Sequence, residues 1–342
     1  MRTLIDLQKL VCPEALDLMQ KRHQILHTIH LLEPIGRRNL ANQVALKERV
    51  IRTELDFLTE RHLLEVTTKG VRLTRAGIDA LNHLKDYVEE INGFRVLETE
   101  IKQTLNLDRV IITPGDSDVQ EWVKYDLGRR AVQSLHDELT SHETVALTGG
   151  TTMAAVAEMM QPTSSAIRPL FVPARGGLGE RMENQANTIA AEMAKRINGD
   201  YRMLYVPDPL SEETYHSIIR EPGVKEVLHM IKQADVVMHG IGDALTMANR
   251  RKASKDVLEE LNTGRAVSEA FGYYFDQSGQ VVHKVRTVGI QLEDLSTIKT
   301  VIAVAGGKSK AKAIDSYLRQ GKSNVLITDE AAAKALIKGF SL

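Results

Sequence analysis

The chain is predicted to be an α/β protein in two parts: an N-terminal winged helix-turn-helix, then a doubly wound, mostly parallel Rossmann-like domain. Three observations predict this. Short apolar runs alternate with helical patterns from residue 110 to the end of the chain. Four of those runs lead into glycine-bearing loops: TGGTT (148–152), ARGGLGE (174–180), HGIGDA (239–244) and AGGKSK (305–310). Before them, residues 36–74 hold a short helical pattern, a tight turn, a longer helical pattern and a small hairpin.

Composition bounds what such a chain can be. Its 342 residues suffice for two domains, and 43% apolar with 26% charged residues is the balance of a soluble globular protein. No apolar run nears the roughly 20 residues that span a bilayer, and no secretory pattern opens the chain. A cytoplasmic protein without membrane contact is therefore expected. The single cysteine, Cys12, rules out an internal disulfide. No Cys/His cluster has zinc-ligand spacing, so no metal site is expected. Net charge is near zero but uneven. Residues 1–75 hold 13 Lys/Arg against 9 Asp/Glu (+4), and the remaining 267 hold 31 against 36 (−5). A mildly basic head on an acidic body suits a head that meets a polyanion.

The head opens on a helical stretch over residues 1–33, broken at Pro13 and ended by Glu33-Pro34. GRRNLANQV (36–44) is the first helix of the motif. ERVIRTELDFLTERHL (48–63) is the second, burying Ile51, Leu55 and Leu58 and turning out Arg49, Arg52, Thr53 and Asp56. Residues 64–67 and 71–74 form the wing around Thr68-Lys69-Gly70. Thr74 caps a connecting helix whose stripe Ile78, Leu81, Leu84, Val88, Ile91 packs either on a second copy or on its own domain. Asn92-Gly93 is the expected boundary, giving domains 1–92 and 93–342.

In the second domain the expected strands are residues 110–113, 144–148, 169–174, 202–207, 235–240, 300–307 and 324–329. Expected helices lie at 121–139, 183–197, 224–233, 309–319 and 330–338. Residues 144–160, TVALTGGTTMAAVAEMM, are the stretch around which the rest is arranged. A strand that feeds a helix through Gly149 and Gly150 leaves backbone N–H groups free at the helix N-terminus, a place for phosphate, with the hydroxyls of Thr151 and Thr152 as added donors. The other loops bring cations: Arg175, Lys308 or Lys310, and Arg250 with Arg251. That set suits a ligand with two phosphates. Gln185 and Glu269 are candidates to bond sugar hydroxyls.

Turnover is the competing use of such a crevice. Asp243 stands where an isomerase would keep its base, and His239 lies just before it. No second acid/base partner and no Ser/His/Asp or Cys/His arrangement accompanies them. The residues favour binding. A sugar-phosphate enzyme whose head only oligomerises, and a phosphosugar sensor acting through protein partners, remain the alternatives.

Taken in order, the DNA-binding head, TGGTT, VPARGGLGE, HGIGDA, EAFGYYFD, VAGGKSKAKAI and LITDEAAA resemble the SorC/DeoR-type sugar-binding transcriptional regulators. The resemblance spans essentially the whole chain and is nearest to the family's glycolytic repressors. It implies a C-terminal domain similar in fold to sugar-phosphate isomerases and deaminases but used as a sensor. It further implies fructose-1,6-bisphosphate as effector, with no other cofactor. The implied effector contacts fall on Gly149, Gly150, Thr151, Thr152, Arg175, Gln185, Arg250, Arg251, Glu269 and Lys310. In the head, Arg49, Arg52 and Thr53 would enter the major groove of operator DNA, with Arg37, Arg38 and Lys47 on phosphates and Lys69 in the wing. A homodimer or homotetramer would read repeated half-sites. The head departs from the usual wording at Leu46-Lys47-Glu48, where a Ser or Thr cap is common.

Overall fold

The computed structural model describes residues 4–162, 167–177, 181–207 and 210–340. The chain divides into two compact units, Met1–Leu97 with Val119–Trp122, and Glu98–Asp118 with Val123–Leu342.

The first unit runs α1 (Leu4–Val11), α2 (Pro13–Leu32), α3 (Arg37–Gln43), α4 (Glu48–Glu60), β1 (Leu64–Thr67), β2 (Gly70–Leu73) and α5 (Arg75–Asn92). Pro13 opens α2, where its missing N–H is not needed by the helix. Ile51, Leu55 and Leu58 of α4 are buried with Leu40 and Ala41 of α3 and with Leu64, Val71 and Leu73 of the antiparallel wing. The same face of α4 also buries a carboxylate. Glu54 pairs with Lys21 at 2.5 Å and Arg22 at 2.8 Å, and the Arg22 guanidinium lies 3.7 Å from the Phe57 ring centroid. Burial raises the Glu54 pKa, but the two cations of α2 more than offset this and hold it below the ordinary value. The longer motif helix is thus fixed by an apolar stripe and an ionic clamp together.

Thr74 caps α5 by accepting a hydrogen bond from the Gly77 N–H at 3.0 Å, and Gly93 ends the helix at φ 68°. Its stripe packs on its own unit. Ile78 and Leu81 join the head core, while Tyr87 and Ile91 pack with Ile5 and Leu16.

After α6 (Phe94–Thr104), the second unit places β3 (Arg109–Thr113), α7 (Glu121–Glu138), β4 (Thr144–Leu147), α8 (Thr151–Met159), β5 (Leu170–Pro173), α9 (Ala186–Ile197) and β6 (Asp200–Tyr201). Then come α10 (Glu212–Ile218), α11 (Pro222–Lys232), β7 (Val236–Gly240), β8 (Gly242–Asp243), α12 (Ala244–Arg250) and α13 (Lys255–Thr263). The chain closes with β9 (Ser268–Ala270), β10 (Tyr273–Phe275), β11 (Val281–Lys284), β12 (Thr300–Val304), α14 (Ala311–Leu318), β13 (Val325–Asp329) and α15 (Glu330–Phe340).

Seven strands form one parallel sheet in the order β3-β13-β12-β7-β4-β5-β6. From β4 the chain steps outward through β5 to β6; it then returns to the other side of β4 and steps outward through β7, β12 and β13. The order reverses between β4 and β7. In open α/β sheets the crevice beyond the carboxyl ends of two such strands is where ligands bind. The central strands β4, β7, β12 and β13 are almost wholly buried because helices cover the sheet. Val145, Leu147, Met238, Ile302 and Ile327 meet Leu127, Leu135, Met153, Ile189 and Met193 in one core.

Two features differ from the sequence-based expectation. Residues 202–207 are not a strand: the edge strand is the shorter Asp200–Tyr201, paired with Leu170 and Phe171. Leu204 and Val206 are buried, but the Asn187 side chain donates to the Leu204 carbonyl and accepts from its N–H, both at 3.0 Å, in place of a ladder. The second difference is a four-stranded antiparallel sheet, β11-β10-β9-β8, inserted between β7 and β12. Within EAFGYYFD, Phe271 at φ 55° and Gly272 at φ 88° make the two-residue turn of a hairpin.

Candidate functional site

At the carboxyl ends of β4 and β7 lies a crevice lined by Thr148–Met153, Arg175, Gly240–Gly242, Met247, Arg250, Arg251, Glu269–Phe271 and Lys310. Gly150 is the N-cap of α8, with φ 118° and no capping side chain, so the first-turn N–H groups of α8 have no partner from a cap. Only glycine adopts that φ without strain. Gly149 is needed for space: a Cβ there would lie 2.5 Å from the Asn184 carbonyl oxygen. The Gly150 N–H donates to this same oxygen at 2.8 Å. Helix α8 begins at Thr151, so both threonines belong to its first turn.

Arg175 follows β5 and is held by a short bridge to Gly289. A Cβ at Gly289 would meet the Ala174 carbonyl oxygen at 2.2 Å, which explains why the crossing needs glycine there. The Arg175 guanidinium, 6% exposed, reaches Glu269 at 3.6 Å. Arg251, only 4% exposed, donates to Glu269 at 2.6 Å and to the Tyr274 hydroxyl at 2.8 Å. Glu269 also accepts the Gly272 N–H at 2.7 Å, so its own hairpin turn orients it. Burial raises the Glu269 pKa, but Arg251 and Arg175 reverse the effect and keep the carboxyl ionised and lowered. Glu269 is therefore first of all the counter-ion that holds two arginines in the wall.

Lys310 completes the far side. Its pKa is lowered, chiefly by burial and next by the nearby charge of Arg250. Two cations gathered in a half-buried crevice repel each other, an arrangement that an incoming anion relieves.

The four glycine loops contribute unequally. Glycine backbone lines the crevice from residues 149–150 and 240–242, whereas the other two loops supply the side chains of Arg175 and Lys310. Gly306 and Gly307 instead pack against carboxylates; a Cβ at Gly306 would lie 2.5 Å from Asp329 Oδ2, and one at Gly307 would lie 2.3 Å from Asp118 Oδ1. Residues 178–180 of the second loop lie outside the described residues. Gln185 is the N-cap of α9 and is not among the lining residues, and neither is Lys308. Phe271 and Met247, which carry no sequence signal for binding, do line it.

The candidates for turnover have other tasks. Asp243 caps α12 by accepting the Thr246 N–H at 2.8 Å. His239 is fully buried, with Nε2 3.0 Å from the Ser323 hydroxyl, and burial pushes its pKa down to about 4. It is a neutral core histidine.

In the first unit, Arg37, Arg38, Lys47, Arg49, Arg52, Thr53 and Lys69 are all exposed. Helix α4 starts at Glu48 with Lys47 as a cap that offers no side-chain bond. Arg37 pairs with Glu48 at 3.0 Å, and the Thr53 hydroxyl donates back to the Arg49 carbonyl at 3.2 Å. Lys69 sits at the tip of the wing, where its N–H donates to Thr67 Oγ1 at 3.2 Å. Helix α4, the start of α3 and the wing tip, the elements a winged helix-turn-helix lays on DNA, thus all carry exposed basic side chains.

Comparison with known proteins agrees with both halves. Residues 18–88 match the CggR N-terminal DNA binding domain, and residues 89–338 match the family described as a sugar-binding domain. The central glycolytic genes regulator of Priestia megaterium is 53% identical over 342 residues, covering all of both chains. That of Bacillus subtilis is 50% identical over 338 residues, 99% of each. The crystal structure of a SorC family transcriptional regulator from Enterococcus faecalis, 48% identical, superposes with a TM-score of 0.67 over 70% of this chain and 99% of that one. The full-length sorbitol operon regulator SorC from Klebsiella pneumoniae, 18% identical, shares the fold with a TM-score of 0.69 over 94% of this chain and 98% of that one. These relatives are named as regulators and this chain carries the matching DNA-binding domain, so the chain is a regulator and not an enzyme. It belongs to the SorC-type sugar-binding transcriptional regulators, among the central glycolytic genes regulators.

Proposed function

We propose that the chain represses a glycolytic operon and leaves its operator when fructose-1,6-bisphosphate occupies the crevice of the second unit. One observation carries this reading: four cations, Arg175, Arg250, Arg251 and Lys310, face a helix N-terminus with Glu269 as the one carboxylate among the lining residues. A ligand with two phosphates fits that charge. One phosphate is assigned to the N–H groups and hydroxyls of Gly149–Thr152, with Arg175, and the other to Arg250 and Lys310. Arg251, Glu269 and Gln185 are assigned to the sugar. The names of the relatives support a glycolytic target.

In the head, Arg49, Arg52 and Thr53 would read bases, Arg37, Arg38 and Lys47 would hold phosphates, and Lys69 would follow the groove from the wing. Residues 1–92 form the DNA-binding part with its connecting helix, and residues 93–342 the effector and oligomerisation part. A homodimer or homotetramer in the cytoplasm would engage repeated half-sites. The effector shifts the equilibrium only by binding the low-affinity form more tightly.

The test is gel retardation of DNA from upstream of the operon, titrated in parallel with fructose-1,6-bisphosphate and fructose-6-phosphate. Release at lower concentration of the bisphosphate is expected, and Arg175→Ala and Thr152→Val should hold operator while ignoring sugar. Normal release by these variants, or no sequence-specific retardation, would overturn the reading.

A further inference from the structure

Lys310 lines the crevice from a loop that is fastened to a remote part of the chain. The Ser309 N–H and hydroxyl donate to the two carboxylate oxygens of Asp118 at 2.7 and 2.9 Å, and the Lys308 N–H donates to Asp116 at 3.3 Å. Asp329 ties the same two stretches together by accepting the Gly307 N–H at 2.6 Å and the Ser117 hydroxyl at 2.7 Å. Directly after Asp118 the chain leaves the second unit: Val119–Trp122 belong to the first, and Val123 to the second again. Trp122 is buried, its ring centroid 5.5 Å from that of His27 on α2, which in turn stacks at 5.7 Å on His23. The same helix supplies Lys21 and Arg22, the clamp on Glu54 of α4.

We propose that Asp118 is the positioning residue that couples the crevice to the DNA-binding head: its clasp on Ser309 holds Val119–Trp122 in their present place, and an anion on Lys310 opens the clasp. The proposal rests on the reading of the crevice only for where that anion sits.

Three observations carry it. First, Ser309 engages both oxygens of one carboxylate, so residue 118 follows the loop that holds Lys310 when a ligand draws that lysine. Second, Asp118 is close enough for its charge to favour the protonated form of Lys310. A phosphate competes with Asp118 for the same lysine and repels the carboxylate. The ligand thus interacts differently with the closed and the open clasp, which any shift between them requires. Third, the Trp122 indole N–H is buried without a hydrogen-bond partner. No hydrogen bond from the ring resists its displacement, and another placement can satisfy the donor. From Trp122 the shift passes to α2, and α2 carries the two cations that fix α4.

The experiment uses the full chain and reads tryptophan fluorescence beside operator retardation. Trp122 is the one tryptophan of the sequence, so the emission has a single source. Without any ligand, Lys310→Glu sets a negative charge facing Asp118, and the cations Arg250 and Lys124 nearby tolerate the reversal. This variant should shift the Trp122 emission and weaken operator binding by about fivefold or more, and adding Asp118→Asn should restore both. Asp118→Asn alone keeps the shape of the clasp at an exposed position but has no charge to repel. It should hold operator and bind fructose-1,6-bisphosphate in calorimetry, yet show neither release nor a change of emission. Defects of Lys310→Glu that persist in the double variant, unchanged Trp122 emission in Lys310→Glu, or normal release of operator by Asp118→Asn would overturn the coupling. If the parent chain takes up no fructose-1,6-bisphosphate, the effector assignment fails, while the arm without ligand still decides the role of Asp118.

Discussion

Replacing Gly149 by alanine adds one methyl group at the tightest point of the loop between β4 and α8. The new Cβ would stand 2.5 Å from the Asn184 carbonyl oxygen and 3.2 Å from the Ala186 nitrogen, both backbone atoms. An unstrained C···O contact needs about 3.3 Å, so the two segments must part by about 0.8 Å. Overpacking of this kind costs about 1–3 kcal/mol. Because the Gly150 N–H bonds that same carbonyl, relief moves the N-cap of α8 and the backbone donors beside it. If the loop must return to its original place to hold phosphate, the cost appears as a loss of roughly 5- to 150-fold in affinity. Gly177→Ala is the control, since its Cβ meets only Gln185 Oε1, at 3.7 Å. Calorimetric titration with fructose-1,6-bisphosphate should show weak binding by Gly149→Ala and near-normal binding by Gly177→Ala, with operator binding intact in both. Binding by Gly149→Ala within twofold of the parent chain would refute the assignment of this loop to phosphate.

Glu269→Gln should lower the stability of the second unit by about 3–5 kcal/mol in chemical denaturation, because two buried arginines lose their counter-ion; a loss under 1 kcal/mol would show that the arginines do not depend on it. His239 has a folded pKa of about 4 against 6.5 for the free group, so acid favours the unfolded chain. Its contribution is full above pH 6.5 and falls by about 3 kcal/mol as pH drops to 4, and His239→Gln should flatten that part of a pH–stability curve. Arg52→Ala should weaken the operator by about 1–3 kcal/mol relative to random DNA, measured by competition at fixed salt. An equal loss on both DNAs would assign Arg52 to a phosphate instead.

The parallel strands were legible because each is a continuous apolar run, and the turn between β4 and α8 because two glycines sit between a strand and a helix. The edge strand was not. Residues 202–207 are as apolar as a strand, but what satisfies Leu204 is the side chain of Asn187, 17 residues earlier. The residues of the crevice wall were named from the sequence, but the pairing of Glu269 with two arginines was hidden for the same reason. Glu269 and Arg251 are 18 residues apart and meet because β9 returns antiparallel to β8, which sets Glu269 beside Gly242 at the start of the segment that leads through α12 to Arg251. Glycine spacing also misled in one loop, since Gly306 and Gly307 serve packing around Asp329 and Asp118 and not a ligand. In the head, periodicity found the exposed arginines of α4 but not the buried Glu54, whose partners lie in α2.

If the crevice between β4 and β7 takes the effector as proposed, the charge along it bears on how fast the protein can respond. Four cations against the single carboxylate of Glu269 leave a net charge of +3 along the lining of a concave site. Field lines concentrate in such a concavity and draw in a multiply charged anion, raising encounter rates by roughly 10- to 1,000-fold over a neutral site. That gain is steeply ionic-strength dependent. Stopped-flow association at rising salt should therefore slow capture more than it shortens residence, so ionic conditions set the tempo of derepression.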